Sequence, residues 1–142
     1  MSGSYSGSCF CGAVELRVTG DPIAMGYCHC QSCRSWSAAP VNAFTLWPSQ
    51  AVEVTKGGDN IATHRKTENT YRQFCRICGG HLMATLEHLK IVDVFAAIIP
   101  GLVFVPQFHV FYSETVLPMH DGLKKLRDFP IELGGSGKQI PE

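Results

Sequence analysis

A chain of 142 residues predicts a single domain, residues 1–142. With 45% hydrophobic and 17% charged residues, it has the apolar content for a packed core, which excludes bulk disorder. Twelve basic residues balance twelve acidic ones, which argues against nucleic-acid binding through a broad basic face.

Residues 1–8 read as a loose polar arm, mobile over 1–6, with no basic-then-apolar pattern of a signal peptide. After Cys9-Phe10-Cys11-Gly12, the stretch Ala13–Thr19 alternates: Val14, Leu16 and Val18 point one way, Glu15, Arg17 and Thr19 the other. That pattern predicts a half-buried strand ended by Gly20-Asp21-Pro22. Ile23–Tyr27 is a second short strand, and Gln31–Ser37 a brief helix stopped before Pro40. Strands are expected at Val41–Leu46, Val52–Thr55, Ile61–Lys66, Thr70–Phe74 and His81–Leu86. Turns are expected at Trp47–Gln50 and Lys56–Asn60. Ile91–Val105 is the most apolar stretch, but Asp93 and Pro100 interrupt it. It falls short of the ~20 apolar residues of a membrane helix. It reads as buried strands, Ile91–Ile99 and Leu102–Val105, joined by a Pro-Gly turn, with Phe108–Tyr112 as the last strand. Asp121–Asp128 reads as a helical turn, and residues 133–142 as a mobile Gly/Pro-rich tail. Many short strands between frequent turn residues predict a mostly β domain. A soluble cytoplasmic protein, with no membrane segment, is expected.

Seven cysteines carry the chemistry. Cys9 and Cys11 form a C-x-C pair, Cys75 and Cys78 a C-x-x-C knuckle, and Cys28, Cys30 and Cys33 the motif C-x-C-x-x-C. Reducing conditions and such tight spacings suit metal better than disulfides, and an odd count strands one thiol in an all-disulfide scheme. The set divides into four and three. Four thiolates, Cys9, Cys11, Cys75 and Cys78, close a tetrahedral structural zinc site and join the start of the chain to its middle. Three, Cys28, Cys30 and Cys33, leave one position for water or substrate, so two zinc ions per chain are expected. Other partitions remain open: Cys28/Cys30 or Cys30/Cys33 joined to one of the pairs, a three-cysteine site completed by a histidine, or a metal-free redox cluster.

An open three-thiolate zinc is soft, and its free position suits a small-molecule thiol. Ligation deprotonates that thiol near neutral pH, and its addition to an aldehyde makes a hemithioacetal. The reverse step is a carbon–sulfur lyase reaction. His29 is a candidate general acid or base beside the metal, or a fourth ligand, but strand alternation turns it away from the face bearing Cys28 and Cys30, where it reads equally as a partly exposed or packed histidine. Arg34 can stabilise thiolate charge or grip a carboxylate. Lys56, Arg65, Lys66 and Arg72 are further candidates for an anionic substrate.

Three segments together resemble one family. Gly7-Ser8-Cys9-Phe10-Cys11-Gly12, Cys28-His29-Cys30-Gln31-Ser32-Cys33-Arg34 and Phe74-Cys75-Arg76-Ile77-Cys78-Gly79 follow the order and spacing of the glutathione-dependent formaldehyde-activating enzymes, a family that includes centromere protein V. Ser37-Ala38-Ala39-Pro40, Val54-Thr55-Lys56-Gly57, Pro106-Gln107-Phe108-His109 and Asp121-Gly122-Leu123 are similar to its pattern as well. The resemblance implies a β-tent of several short coiled antiparallel sheets braced by zinc. It implies a structural zinc at Cys9, Cys11, Cys75 and Cys78 and a catalytic zinc at Cys28, Cys30 and Cys33. It also implies glutathione as the thiol partner, with formaldehyde as the aldehyde and S-hydroxymethylglutathione as the product. The family often has Gly where this chain has Ala38, and a Trp after its C-terminal His motif that Ser113–Pro118 lacks. The competing expectation is a module without turnover, either a glutathione binder or a zinc-braced protein-interaction domain.

Overall fold

The computed structural model describes residues 3–142. In chain order its elements are β1 (Gly3–Ser8), β2 (Glu15–Gly20), β3 (Ala24–Cys28), helix α1 (Gln31–Ser37), β4 (Asn42–Pro48), β5 (Val52–Lys56), β6 (Ile61–His64), β7 (Thr70–Cys75), β8 (His81–Leu86), β9 (Ile91–Phe95), β10 (Phe108–Val110) and β11 (Lys124–Lys125). Short 3₁₀ turns join several of them. The fold is mostly β and uses more than one sheet, as the spacing of strands and turns implied. No helix among the described residues is long and apolar enough to cross a membrane.

Two compact units emerge, and each is described separately. The first takes in the described residues up to Ile23 together with Thr45–Phe104. Its three-stranded antiparallel sheet runs β1-β2-β5, and β9, β8, β7 and β6 lie side by side in a second ladder. The alternation in β2 performs as expected: Val14, Leu16 and Val18 are buried, and Arg17 instead pairs with Glu53 at the surface. They pack with Trp47, Leu82, Met83, Val92, Val94 and Ile99 into one core that also contains Cys9 and Cys75. Trp47 is fully buried and keeps its indole N–H satisfied. It donates to Thr45 Oγ1 at 2.8 Å, and that hydroxyl donates to the Val94 carbonyl at 2.6 Å. Gly57 is required where it stands. Its φ is +71°, and a Cβ there would lie 1.9 Å from the Ala13 carbonyl oxygen.

The second unit comprises Ala24–Phe44 and Val105–Glu142. Here β3 lies between β4 and β10, and β10 pairs in parallel with both β3 and β11. These parallel pairs depart from a purely antiparallel expectation. Burial alternates along β3, so Ala24, Gly26 and Cys28 face inward. Gly26 lets β10 come close, since a Cβ there would meet the Phe108 carbonyl oxygen at 2.4 Å.

Several local expectations are corrected. The arm expected over residues 1–8 is strand β1 from Gly3 to Ser8, paired with β2 at every position; residues 1–2 lie outside the described residues. Its Gly-Ser-Tyr-Ser-Gly-Ser sequence has no β-branched residue, so only the partner strand makes it a strand. Leu102–Val105 forms no strand, and the strand at Ile91 ends at Phe95, with Ala96–Ile98 a 3₁₀ turn. The strand at Phe108 stops at Val110 because Phe111 takes a left-handed conformation, φ 53°, which cannot extend a ladder. Asp121–Asp128 is not a helical turn: a short loop leads into β11, which lies within this segment. The tail expected over 133–142 is tied back by Arg127 N–H to the Lys138 carbonyl, Ile140 N–H to the Lys125 carbonyl, and the Leu126–Gln139 bridge.

Candidate metal centre

In the first unit, Cys9, Cys11, Cys75 and Cys78 bring their sulfurs within 4.8 Å of one another. Cys9 follows β1, Cys75 ends β7, and Gly79, at φ +77°, lets the chain turn back after Cys78. Backbone N–H groups aim at the sulfurs: Val14 at Cys9 and Gly80 at Cys78, each at 3.3 Å. The sulfurs of Cys9 and Cys11 are 3.7 Å apart, and those of Cys11 and Cys75 3.8 Å. Zn–S bonds of about 2.3 Å at tetrahedral angles place two sulfurs about 3.8 Å apart. The set therefore fits zinc and is far too open for disulfides, whose S–S bond is about 2 Å. Burial raises the Cys9 thiol, but hydrogen bonds from Val14 N–H and the neighbouring sulfurs outweigh it and bring the group down to about 6. That thiol is prepared to give up its proton to a cation.

In the second unit, Cys28, Cys30 and Cys33 converge in the same way. Their sulfurs lie 3.4 Å (Cys28–Cys30) and 3.6 Å (Cys28–Cys33) apart, again near the spacing zinc requires. Cys28 closes β3, Cys30 caps α1, and Cys33 sits in its first turn. Cys30 Sγ accepts the Cys33 N–H at 3.3 Å, so the C-x-x-C spacing and the helix start are one feature. Facing Cys30 and Cys33 and buried besides, the Cys28 thiol is pushed well above its ordinary value. Among the described residues no other Cys, His, Asp or Glu joins the group.

His29 is fully buried, although Cys28 beside it in the chain is buried as well and simple strand alternation would place only one of the two inward. Both ring nitrogens are engaged: Nε2 with His109 Nδ1 at 2.8 Å and Nδ1 with Thr115 Oγ1 at 2.7 Å. It therefore offers no nitrogen as a fourth ligand. Burial, followed by His109 and Lys125, lowers its pKa to about 4, so its ring is neutral at pH 7. Arg34 grips neither thiolate nor carboxylate. Its Nε donates to the His29 carbonyl at 3.0 Å and its Nη2 to the Glu114 carbonyl at 3.1 Å, which clamps the cysteine loop. The other basic candidates belong to the first unit. There Lys56 donates to Gly12 O and pairs with Glu15, while Arg65 lies over the Tyr71 ring.

Sequence reasoning missed the residues behind the three cysteines. His109 Nε2 bonds Asp121 Oδ2 at 2.7 Å; Asp121 Oδ1 takes the Lys125 ammonium; Lys125 also bonds Glu142 at 2.7 Å. His109 and Lys125 are buried, and Lys125 lies over the Tyr112 ring. Desolvation works against the Asp121 carboxylate, but hydrogen bonds from Lys125 and His109 hold it well below its usual range. No spacing rule links positions 29 and 109. The only signal was that His109 and Asp121 fall in segments resembling the family pattern.

Ala38 ends α1 in the left-handed conformation, φ 59°, where a Cβ is strained and Gly is favoured. Ala38→Gly is expected to stabilise the protein by roughly 0.5–1 kcal/mol, read as a higher urea midpoint at unchanged slope. A lower midpoint would refute the strain.

Comparison with known proteins places these features in context. The model of the family described as glutathione-dependent formaldehyde-activating enzyme matches residues 4–114. A protein of Schizosaccharomyces pombe named as an uncharacterized lyase is 30% identical over 78 residues. The match covers 55% of this chain and 55% of that protein, so it spans about half of its relative's length. A crystal structure of a Rhodobacter sphaeroides protein shares the fold, with a TM-score of 0.58 at 23% identity, over 69% of this chain and 90% of the other.

Proposed function

The chain belongs to the glutathione-dependent formaldehyde-activating enzyme family, and from that premise we propose that it is a zinc-dependent carbon–sulfur lyase acting on a thiol–aldehyde adduct. The leading reaction is addition of the glutathione S–H across the C=O of formaldehyde. A C–S bond forms, the proton passes to the carbonyl oxygen, and the product is S-hydroxymethylglutathione. The reverse direction breaks that bond. One observation carries the reading: three sulfurs converge within 4.8 Å with no fourth protein ligand among the described residues.

Cys28, Cys30 and Cys33 would hold the catalytic zinc, and Cys9, Cys11, Cys75 and Cys78 the structural one. Zinc at the three-cysteine site would supply a soft, open position that lowers the pKa of an incoming thiol. The chain's own residues fix that position. The N-cap bond at Cys30 and the Arg34 clamp on two carbonyls hold the loop. His29, neutral and engaged at both nitrogens, is a structural residue here and not the proton donor. None of the seven cysteines is in a disulfide, which suits a reducing compartment such as the cytoplasm.

The test is formation of S-hydroxymethylglutathione above its spontaneous rate by zinc-loaded protein, with calorimetry showing that glutathione binds. Binding without acceleration would leave a glutathione-binding module in place of an enzyme. A second non-enzymatic reading, a zinc-braced interaction domain, draws on Phe10 and Ile77. These apolar side chains are 93% and 62% exposed beside the four-cysteine ligands. That reading gains if neither glutathione binding nor turnover is found.

A further inference from the structure

We propose that His109 is a positioning residue for the three-cysteine site, holding His29 inward so that Cys28 and Cys30 converge with Cys33 and thereby setting the metal affinity of that site. The inference rests on the reading of Cys28, Cys30 and Cys33 as metal ligands.

The argument starts from the one residue between two of those ligands. His29 can point its ring to solvent or to the interior, and the choice rotates the backbone that carries Cys28 and Cys30. An imidazole is costly to bury unless its nitrogens are bonded. His109 makes the inward choice favourable. It is itself fully buried, its ring stacks on Tyr27 at 4.9 Å between centroids, and both it and His29 meet Tyr112 edge-on.

The hydrogen bonds form an ordered series. The Asp121 carboxylate accepts from His109 Nε2, which leaves His109 Nδ1 to accept from His29 Nε2. On its other side His29 Nδ1 is bonded to the Thr115 hydroxyl at 2.7 Å. Lys125, bonded to both Asp121 and Glu142, holds the far end. The backbone on either side of the His29 ring is pinned as well. Its N–H donates to the Val110 carbonyl at 3.1 Å, and its carbonyl accepts from Arg34. In familiar metal sites, partners behind the ligands orient them, and their loss weakens metal binding about 10–100-fold. Here the oriented group is the spacer between two ligands.

Zinc competition with a chelator on the full chain, together with cobalt substitution read by thiolate charge-transfer and d–d bands, tests this. Two variants separate hydrogen bonding from packing. His109→Phe fills the ring's space but offers His29 no acceptor. His109→Asn keeps a polar atom close to where Nδ1 stood. We expect His109→Phe to weaken the three-cysteine site at least tenfold and to alter its cobalt bands. The four-cysteine site of the same molecules should stay within twofold of wild type. His109→Asn should hold the three-cysteine affinity within about threefold. The proposal is overturned if His109→Phe leaves that affinity within twofold, if both variants lose it equally, or if both sites release metal together. Wild-type protein that binds one zinc would remove the underlying reading, and this inference with it, before any variant is made.

Discussion

Replacing Cys75 with Ser is expected to unfold the unit that contains it. Cys75 is fully buried, packed in the apolar core beside Cys9, and its sulfur is one of four that converge. If these four sulfurs hold a structural zinc, as proposed, the variant loses one ligand and buries a hydroxyl in its place. Structural zinc contributes on the order of 10 kcal/mol of folding free energy. A whole domain keeps only about 5–15 kcal/mol. Loss of the ion therefore removes most of the margin that holds Val14, Leu16, Val18 and Trp47 together. Circular dichroism and urea titration should show a largely unfolded unit at room temperature, and a strong chelator should do the same to wild-type protein. A Cys75→Ser variant with an unchanged urea midpoint would mean that these sulfurs hold no structural metal.

The Cys30→Ser variant should behave in the opposite way, losing chemistry while keeping its fold. Cys30 is half-buried, and its sulfur already serves as the N-cap of α1. Serine is among the preferred N-caps, so the helix start is kept or improved. What disappears is one of three thiolates. Metal affinity at this site should fall by more than the roughly 10–100-fold that loss of an outer-shell partner costs. The protein should then carry one zinc per chain in place of two. Adduct formation should drop to the spontaneous rate, and calorimetry should no longer register glutathione. Turnover equal to that of wild type would separate the reaction from this site altogether. The two variants are thus expected to pull apart the two sets of cysteines, one change costing the fold and the other the proposed reaction.

Much of the fold was legible where the signal is local. The alternation of Val14, Leu16 and Val18 marks β2 because a strand with one buried face must repeat every second residue. Helix α1 was legible from Gln31 to Ser37, ahead of the break before Pro40, but its cap by Cys30 was not. Strand β1 was not, because Gly3–Ser8 has no apolar alternation and pairs only through its neighbour. Asp121–Asp128 misled as a helical turn because its polar groups serve distant partners: Asp121 bonds His109, and Asp128 takes the N–H and hydroxyl of Ser136. The apolar Leu102–Val105 resembled a strand, yet Val103 is 77% exposed there.

By itself the sequence determined which sulfurs share a turn. Ligands separated by one or two residues must come from one short piece of backbone, so C-x-C and C-x-x-C carry their local geometry with them. Only the tertiary structure decided that the Cys9 pair meets the Cys75 pair and that Arg34 clamps a loop instead of gripping a ligand. It alone decided that His29 finds its partner eighty positions later. Such contacts depend on which strands lie side by side, and that depends on the whole core being buried at once, not on any short run of residues.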